Sequence, residues 1–188
     1  MTYKGPNNYW IDHDDVVHIE LENIHRQIIA EALIDISDLE IISGYRWYRH
    51  IKHRTSYAET VIYKPNTQIR ISLSMHHLLM GSAPNPGLEI DHINGNGLNN
   101  RRINLRWATY SQNRMNSQLY RTTTSGFRGV TYHKRDRKWH ARIKINWKSL
   151  SIGYFDNPED AAKAYDKAAL IFHKEFAQLN FPPNPSNG

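Results

Sequence analysis

The sequence has no cysteine among its 188 residues. Disulfide bonds and thiolate zinc sites are therefore excluded, because both need cysteine sulfur. Long apolar runs are also lacking. No stretch approaches the roughly 20 apolar residues that a membrane-spanning helix needs, and the N-terminal residues have no apolar core of a signal peptide. These absences predict a soluble cytoplasmic protein without a membrane partner.

Acidic residues are scarce in the second part of the chain. Residues 1–60 carry six Lys and Arg against ten Asp and Glu, whereas residues 61–188 carry eighteen against eight. Between 121 and 155 there are nine Lys and Arg, and Asp136 is the one acid. A basic excess confined to one region is typical of a surface that binds nucleic acid, although excess charge also serves solubility.

The N-terminal region, residues 1–74, has the pattern of a β-rich fold. It contains four short, β-branched and partly alternating runs: VVHIEL, QIIAEAL, YAETVIY and IRISL. Such runs are typical of half-buried strands. No residues in this region point to a reaction.

Residues 75–120 predict a ββα unit. A short helix, MHHLLM, precedes the strand LEIDHI, an Asn- and Gly-rich loop, the strand LRWAT and a polar helix, SQNRMNSQ. Ser111 is the predicted N-cap of that last helix. The two Asn-Gly pairs of the loop favour tight turns, because glycine adopts positive φ at little cost.

Four polar residues of this unit could carry out phosphodiester hydrolysis. Asp91 and Asn113 offer hard oxygen ligands that suit Mg²⁺. His92 is a general base suited to neutral pH, and the side-chain carbonyl of Asn104 can accept from one ring N–H of His92. The alternative is an ordinary turn residue beside a packed histidine, within a loop whose asparagines only form turns.

The order of these motifs resembles the HNH endonucleases of phage homing enzymes. The resemblance covers residues 75–118 and rests on His76 at the helix start, IDHINGN, LNNR, NLRWAT and SQN. It implies that Asp91 and Asn113 bind Mg²⁺ or Mn²⁺, that His92 is the base, and that Asn104 orients it. The family often ends this motif with histidine, and the Asn113 variant indicates a hard cation rather than zinc.

One histidine and four arginines near this motif each allow two interpretations. His76 either packs structurally, which we favour, or touches a phosphate. The other candidates either hold DNA phosphates or are solvated surface charges; they are Arg101, Arg102, Arg106 and Arg114.

Residues 121–181 predict a separate module after the polar break at 121–126. Three basic strands, FRGVTYH, KWHARIKI and KSLSIGYF, precede a helix that begins at Pro158 after the N-cap Asn157. Residues predicted to share the buried face of the helix are Ala161, Ala164, Tyr165, Ala168 and Phe172. Residues 182–188 are a predicted flexible tail.

This module resembles the plant ethylene-response-factor domain of APETALA type. The elements RGV, KW-x-A-x-I, IGYF, EDAA-x-AYD-x-AA and LNFP stand in order across residues 126–181. The resemblance implies a three-stranded antiparallel sheet that lies in the major groove of DNA. We expect the DNA-binding residues on its exposed face to be Arg128, Lys138, Trp139, Arg142 and Lys144, and Ser149 and Ser151 depart from the plant pattern.

The predicted fold class is α+β: a β-rich N-terminal region, a ββα-metal nuclease motif, and a three-stranded antiparallel sheet packed on one helix. The predicted function is a metal-dependent endonuclease that acts on double-stranded DNA as a monomer in a phage or bacterial host cell. Two alternatives are a DNA-binding regulator with an idle nuclease motif and a structural or RNA-binding protein.

Overall fold

The computed structural model describes residues 7–23, 25–52, 55–65, 67–116, 124–145 and 147–183. The chain divides into two compact units, Met1–Ala108 and Thr109–Gly188. Residues 117–123 and 184–188 lie outside the described residues; they include half of the predicted polar break 121–126 and most of the predicted tail 182–188. The predicted domain boundaries after residues 74 and 120 stay predictions.

Small sheets provide most of the regular structure in the described residues. The strands are β1 (Tyr9–Ile11), β2 (Val16–Glu22), β3 (Ile28–Asp35), β4 (Tyr48–Lys52), β5 (Thr55–Tyr63), β6 (Arg70–Ser74), β7 (Leu88–His92), β8 (Leu105–Thr109), β9 (Val130–His133), β10 (Lys138–Ile145) and β11 (Lys148–Phe155). They form the sheets β1-β2-β3, β4-β5-β6, β7-β8 and β11-β10-β9.

The helices are few and mostly short. They are α1 (Leu39–Ser43), α2 (Met75–Met80), α3 (Tyr110–Asn116) and α4 (Pro158–Phe172), with 3-10 turns at Ile36–Asp38, Arg102–Asn104 and Lys174–Phe176. The structure is thus a mixture of α and β elements with several small antiparallel sheets.

The core of the first unit forms on β2 and β3. Val17, Ile19 and Leu21 alternate along β2 and are buried, because alternate side chains of a strand share one face. They pack with Trp47, whose indole N–H donates to the backbone oxygen of Ile42 at 3.0 Å. Strands β1 and β4 were not predicted: both consist of exposed residues and pair only as edges.

The second unit contains the predicted three-stranded sheet backed by one helix. Strand β10 pairs antiparallel with both β9 and β11, and buried Val130 and Ala141 of the sheet pack against alanines of α4. The Asn157 side chain accepts from the Asp160 backbone N–H at 2.8 Å and caps α4 as predicted.

Two predictions of detail in the second unit are wrong. The buried residues of α4 are Ala161, Ala162, Tyr165, Asp166 and Ala169. Phe172 is 46% exposed because the helix extends beyond the sheet's core. Helix α3 begins one residue before Ser111, and the cap is Thr109: its hydroxyl accepts from the Gln112 N–H, and the Gln112 side chain accepts from the Thr109 N–H.

Gly129 and Gly126 form a matched pair for a stability test. Both adopt positive φ, +73° and +74°, but a Cβ on Gly129 would lie 2.1 Å from the Tyr165 ring, whereas a Cβ on Gly126 would meet nothing within 4 Å. We expect Gly126→Ala to lower the free energy of unfolding by about 1–2 kcal/mol, the cost of the left-handed backbone. Gly129→Ala should cost about 1–3 kcal/mol more, because overpacking adds to it. Urea denaturation followed by circular dichroism measures both, and equal losses would contradict the close approach of Tyr165.

Candidate active site and nucleic-acid interface

Asp91 and His92 lie next to each other at the end of β7. Their exposed fractions are only 4% and 7%, unusual for ionisable residues. Strand β7 pairs with β8, which carries Arg106. The sequence LEIDHI therefore ends its strand on two buried polar side chains that need partners.

Arg106 is the partner of Asp91. Its Nε and Nη2 both lie 2.8 Å from Asp91 Oδ2, and both side chains are largely buried. Charge-assisted contacts of this kind compensate the desolvation of a buried carboxylate. Arg106 was a candidate for holding a DNA phosphate; the structure pairs it with Asp91, and a DNA contact by Arg106 stays a prediction.

The His92 ring contacts Asn100 rather than Asn104. His92 Nε2 lies 3.3 Å from Asn100 Oδ1, and Asn100 Nδ2 donates to the Leu98 backbone oxygen at 3.1 Å, which orients the amide. Since an amide oxygen only accepts, Nε2 carries the hydrogen and Nδ1 is the basic nitrogen. Burial lowers the pKa of His92, and the smaller opposing effects are the Asn100 hydrogen bond and the Asp91 charge. The ring is thus neutral at pH 7.

Asn104 holds the loop instead of contacting the ring by its side chain. Its Oδ1 accepts from the Asn94 N–H at 3.0 Å, and its Nδ2 donates to the Asn99 backbone oxygen at 2.7 Å. The backbone oxygen of Asn104 also accepts from the Ile93 N–H at 2.9 Å. The structure corrects the predicted hydrogen bond between the Asn104 side chain and the His92 ring. Short polar side chains in tight loops bond to nearby backbone groups, and the Asn104 amide does so here. The sequence signal missed was the second asparagine of LNNR.

The N-terminal region supports this loop directly. Leu33 on β3 donates to the Leu98 backbone oxygen and accepts from the Asn100 N–H, both at 2.8 Å. Backbone pairing thus continues from the N-terminal sheet into the segment that positions His92.

Two predicted phosphate candidates anchor the same loop. Arg101 Nε lies 3.0 Å from Asp35 Oδ1, and Arg102 Nη2 lies 2.7 Å from Asp38 Oδ1. The Arg102 Nε also contacts both oxygens of Asp38, a buried acid. These bridges give the acidic N-terminal region a role that its sequence did not reveal.

His76 packs behind His92. The two rings meet edge to face with centroids 5.0 Å apart, and Tyr57 contacts both. His76 is buried, and its Nδ1 has no hydrogen-bond partner among the described residues. Burial, with a smaller effect of the neighbouring His92, lowers the pKa of His76 to about 3. The favoured interpretation, structural packing, agrees with this burial.

The depressed pKa of His76 predicts a specific loss of stability in acid. Between pH 6.5 and about 3 the unfolded chain protonates His76 and the folded chain does not. The free energy of unfolding should therefore fall with pH by up to about 1.4 kcal/mol per unit below 6.5. We expect His76→Gln to make this dependence shallower by about one proton, measured by urea denaturation between pH 7 and 4.5. Identical slopes for the two proteins would contradict the buried neutral state.

Asn113 and Arg114 lie on α3, which belongs to the second unit. Asn113 is half-buried, and the Arg114 guanidinium lies 6.0 Å from the Tyr110 ring centroid. Among the described residues, no group of three or more His, Cys, Asp or Glu could hold a metal ion. A site of one carboxylate and one amide would not form such a group, and the pairing of Asp91 with Asn113 stays a prediction.

The exposed face of the C-terminal sheet is basic. Arg142 and Lys144 are exposed and alternate with buried Ile143, and cross-strand neighbours of the two cations are Ser151 and Ser149. Lys138 has the same parity along β10 and contacts Asp156 at 2.9 Å. The alternation that predicted this basic face is confirmed.

Trp139 and Arg128 lie elsewhere than predicted. Trp139 has the parity of the buried residues and packs against the cluster of Val130 and Ala141, so its placement on the exposed face was wrong. Arg128 is half-buried: its backbone N–H donates to Asn180 Oδ1 at 2.6 Å, and its side chain hydrogen-bonds Tyr165. The sequence-based prediction grouped Trp139 with the basic residues, although alternation along β10 places Lys138 and Trp139 on opposite faces of the sheet.

No helix within the described residues is long and apolar enough to span a membrane.

Comparisons with known proteins agree with both predicted resemblances. A family model described as HNH endonuclease matches residues 77–115, and one described as AP2 domain matches residues 125–174. The chain thus carries an HNH endonuclease domain followed by an AP2 DNA-binding domain.

Individual relatives fall into two groups. Protein 3.8 of Escherichia phage T7 is 32% identical over 93 residues, which are 50% of this chain and 76% of that protein. The chain belongs to the same family as this phage protein. APETALA2-like protein 2 of Oryza sativa subsp. japonica is 39% identical over 61 residues, 32% of this chain. The AP2-like ethylene-responsive transcription factor ANT of Arabidopsis thaliana is 40% identical over 70 residues, 36% of this chain. The chain spans only 14% and 13% of these two plant proteins.

Proposed function

We propose that this chain is a divalent-metal-dependent endonuclease that hydrolyses phosphodiester bonds of double-stranded DNA. The observation that carries the proposal is the adjacent, buried pair of Asp91 and His92 at the end of β7, within the segment that matches the HNH endonucleases. A buried base beside a buried carboxylate costs stability, which is typical of a functional site.

The donor atoms fit a hard divalent cation. A carboxylate from Asp91 and an amide oxygen from Asn113 are ligands that Mg²⁺ or Mn²⁺ accepts while keeping several waters. The Asp91 carboxylate already attracts positive charge, since Arg106 lies 2.8 Å from its Oδ2. A bound ion would neutralise negative charge on the scissile phosphate.

His92 supplies the proton transfer in this proposal. Nδ1 of the neutral ring takes a proton from the attacking water, and the Nε2–H bond to Asn100 holds the ring. Asn104 acts indirectly, by bracing the loop that carries Asn100. The strands β7 and β8 with α3 make up the proposed ββα-metal motif. The described part of the chain contains one such motif, so we propose that a monomer nicks one strand at a time.

DNA binding is assigned mainly to the second unit. The proposed contacts on the sheet are Lys138, Arg142 and Lys144. Two further proposed contacts are Arg114 on α3 and Arg128, which precedes β9. Their charge would be neutralised by the phosphates of a duplex, and each such contact makes binding more salt-dependent. Trp139 is proposed to support the sheet rather than to contact bases, because it packs toward the core.

A plasmid nicking assay tests the proposal. Supercoiled DNA should be converted to the open circle in Mg²⁺ or Mn²⁺, and excess EDTA should abolish the conversion. Re-addition of Mg²⁺ should restore it, which controls for irreversible damage. Nicked DNA should precede any linear product. Undiminished turnover in EDTA would refute metal dependence.

A non-cleaving DNA-binding regulator is the second candidate. It is favoured by the Arg106–Asp91 ion pair, which occupies one oxygen of the proposed metal ligand. Under this hypothesis the Arg106–Asp91 ion pair never opens. Neither Mg²⁺ nor Mn²⁺ then supports nicking, whereas the protein still binds duplex DNA. Arg106→Gln should then leave the protein inactive, whereas in a nuclease that Arg106 only masks the same substitution should allow metal-dependent nicking.

A further inference from the structure

Two exposed aromatic rings face each other in the second unit. Tyr110, at the start of α3, is 53% exposed, and Trp147, in the turn between β10 and β11, is 63% exposed. Their planes differ by only 22°, but their centroids are 6.2 Å apart. Two other parallel pairs in the molecule, Trp10–His18 and His140–Tyr154, are in close contact at 3.7 and 4.4 Å. The Tyr110–Trp147 pair is therefore aligned but not closely stacked.

Each of these rings has a cation beside it. The Arg114 guanidinium lies 6.0 Å from the Tyr110 centroid, and the Lys144 ammonium lies 5.2 Å from the Trp147 centroid. Both distances are within the range of cation–π attraction. Aromatic rings with adjacent cations are the arrangement that proteins use to stack bases while holding phosphates.

A cavity of about 190 Å³ lies beside Trp147. Its lining includes Trp147, the three cations Arg114, Arg128 and Lys144, Tyr165 of α4, and His173, which follows that helix. No acid is among the described residues that line it. The cavity is thus positively charged on several sides and is bordered by one of the two exposed rings.

The wall of the cavity is held by α4 and its end. His173 Nε2 lies 3.1 Å from the Lys144 backbone oxygen, and the Arg128 side chain bonds to the largely buried Tyr165. These contacts fix the backbone at Lys144 and the side chain of Arg128 before any ligand arrives, which lowers the entropy cost of binding.

The chemistry of the site selects an unpaired nucleotide over a base pair. In an undistorted duplex both faces of each base are covered by its neighbours, so an aromatic side chain stacks at least cost on a base that has left the helix or was never paired. We propose that Tyr110 and Trp147 stack the base of one unpaired nucleotide, and that Arg114, Arg128 and Lys144 bind its phosphate. This inference rests on the proposed function, because it specifies a feature of the DNA substrate.

Fluorescence anisotropy with the full-length protein tests this site. The probes are a perfect DNA duplex, the same duplex with one extrahelical thymidine, and the same duplex with an abasic residue in that place. We expect the extrahelical thymidine to bind roughly 5- to 150-fold more tightly than the other two, the range for stacking of one base. The double variant Tyr110→Ala, Trp147→Ala should lose this preference, and Trp147→Phe should keep most of it.

Two further measurements make the result interpretable. Trp10→Ala removes an exposed aromatic of the first unit and should leave the preference intact. Circular dichroism checks that the double variant is folded. Equal affinity for all three probes, or a preference that the abasic bulge reproduces, would overturn the site. Nicking of the perfect duplex by the wild type in Mg²⁺ is measured in parallel. If the wild type nicks DNA but shows no preference for the extrahelical thymidine, this inference alone is refuted. Absent nicking with the preference intact refutes the nuclease proposal alone.

Discussion

Replacing His92 by alanine is expected to lower the rate of DNA nicking by roughly 10²- to 10⁴-fold, the range for loss of a general base. The ring is buried, its pKa is lowered by that burial, and its Nε2 is held by Asn100, so Nδ1 is a neutral acceptor at pH 7. Asp91→Ala should abolish nicking, because it removes the carboxylate proposed to bind the metal. The measurement is single-turnover nicking of supercoiled plasmid at saturating Mg²⁺ and protein.

The control for this experiment is His13→Ala, which removes an exposed histidine of the first unit. Its nicking rate should equal that of the wild type. Asn100→Ala should give an intermediate rate, since the ring remains but the amide oxygen that holds its Nε2 is removed. All variants should bind duplex DNA nearly as the wild type does. A His92→Ala protein with an unchanged rate would make His92 a structural residue only.

Charge reversal on the C-terminal sheet is expected to weaken duplex binding at least tenfold. Arg142 and Lys144 are exposed on one face of β10, and no acid lies between them. In Arg142→Glu, Lys144→Glu the attraction to phosphates becomes repulsion. The slope of log K against log salt should become shallower by roughly 0.9 for each phosphate that the protein no longer neutralises. Filter binding at several salt concentrations measures both quantities, and the nicking rate at saturating protein should change far less than the affinity.

A double variant on α4 provides the matched control. Lys163→Glu, Lys167→Glu makes the same change in net charge at exposed positions of the helix that backs the sheet. If DNA lies on the sheet face, this variant should lose much less affinity and keep its salt slope. Equal losses for the two double variants would mean that only the total charge matters, and the sheet would lose its assigned role.

The residue types of the candidate site could be predicted from the sequence. Asp91, His92 and Asn104 are all buried near one loop, as a local motif requires, because they lie within fourteen residues of one another in the chain. The partner of the His92 ring was not predictable. Asn99, Asn100 and Asn104 offer the same amide chemistry, and only the path of the loop decides which of them meets the ring.

The role of the N-terminal region was likewise invisible in the sequence. Asp35 and Asp38 are separated from Arg101 and Arg102 by more than sixty residues, and no local pattern links the two pairs. The position of Trp139 shows a related limit. Its neighbours are basic, but strand parity places its side chain on the buried side.

Local order of residues determined the strands of the C-terminal sheet, the cap of α4 and the identity of the two domains, because alternation, capping and motif spacing act over a few residues at a time. The tertiary structure decided which side chains share a partner. It paired Arg106 with Asp91, Asn100 with His92, and the loop with β3, since these contacts depend on the path of the loop and on how the strands pack, and not on spacing in the chain alone. It also aligned Tyr110 with Trp147, two aromatic residues that β9 and β10 separate in the sequence.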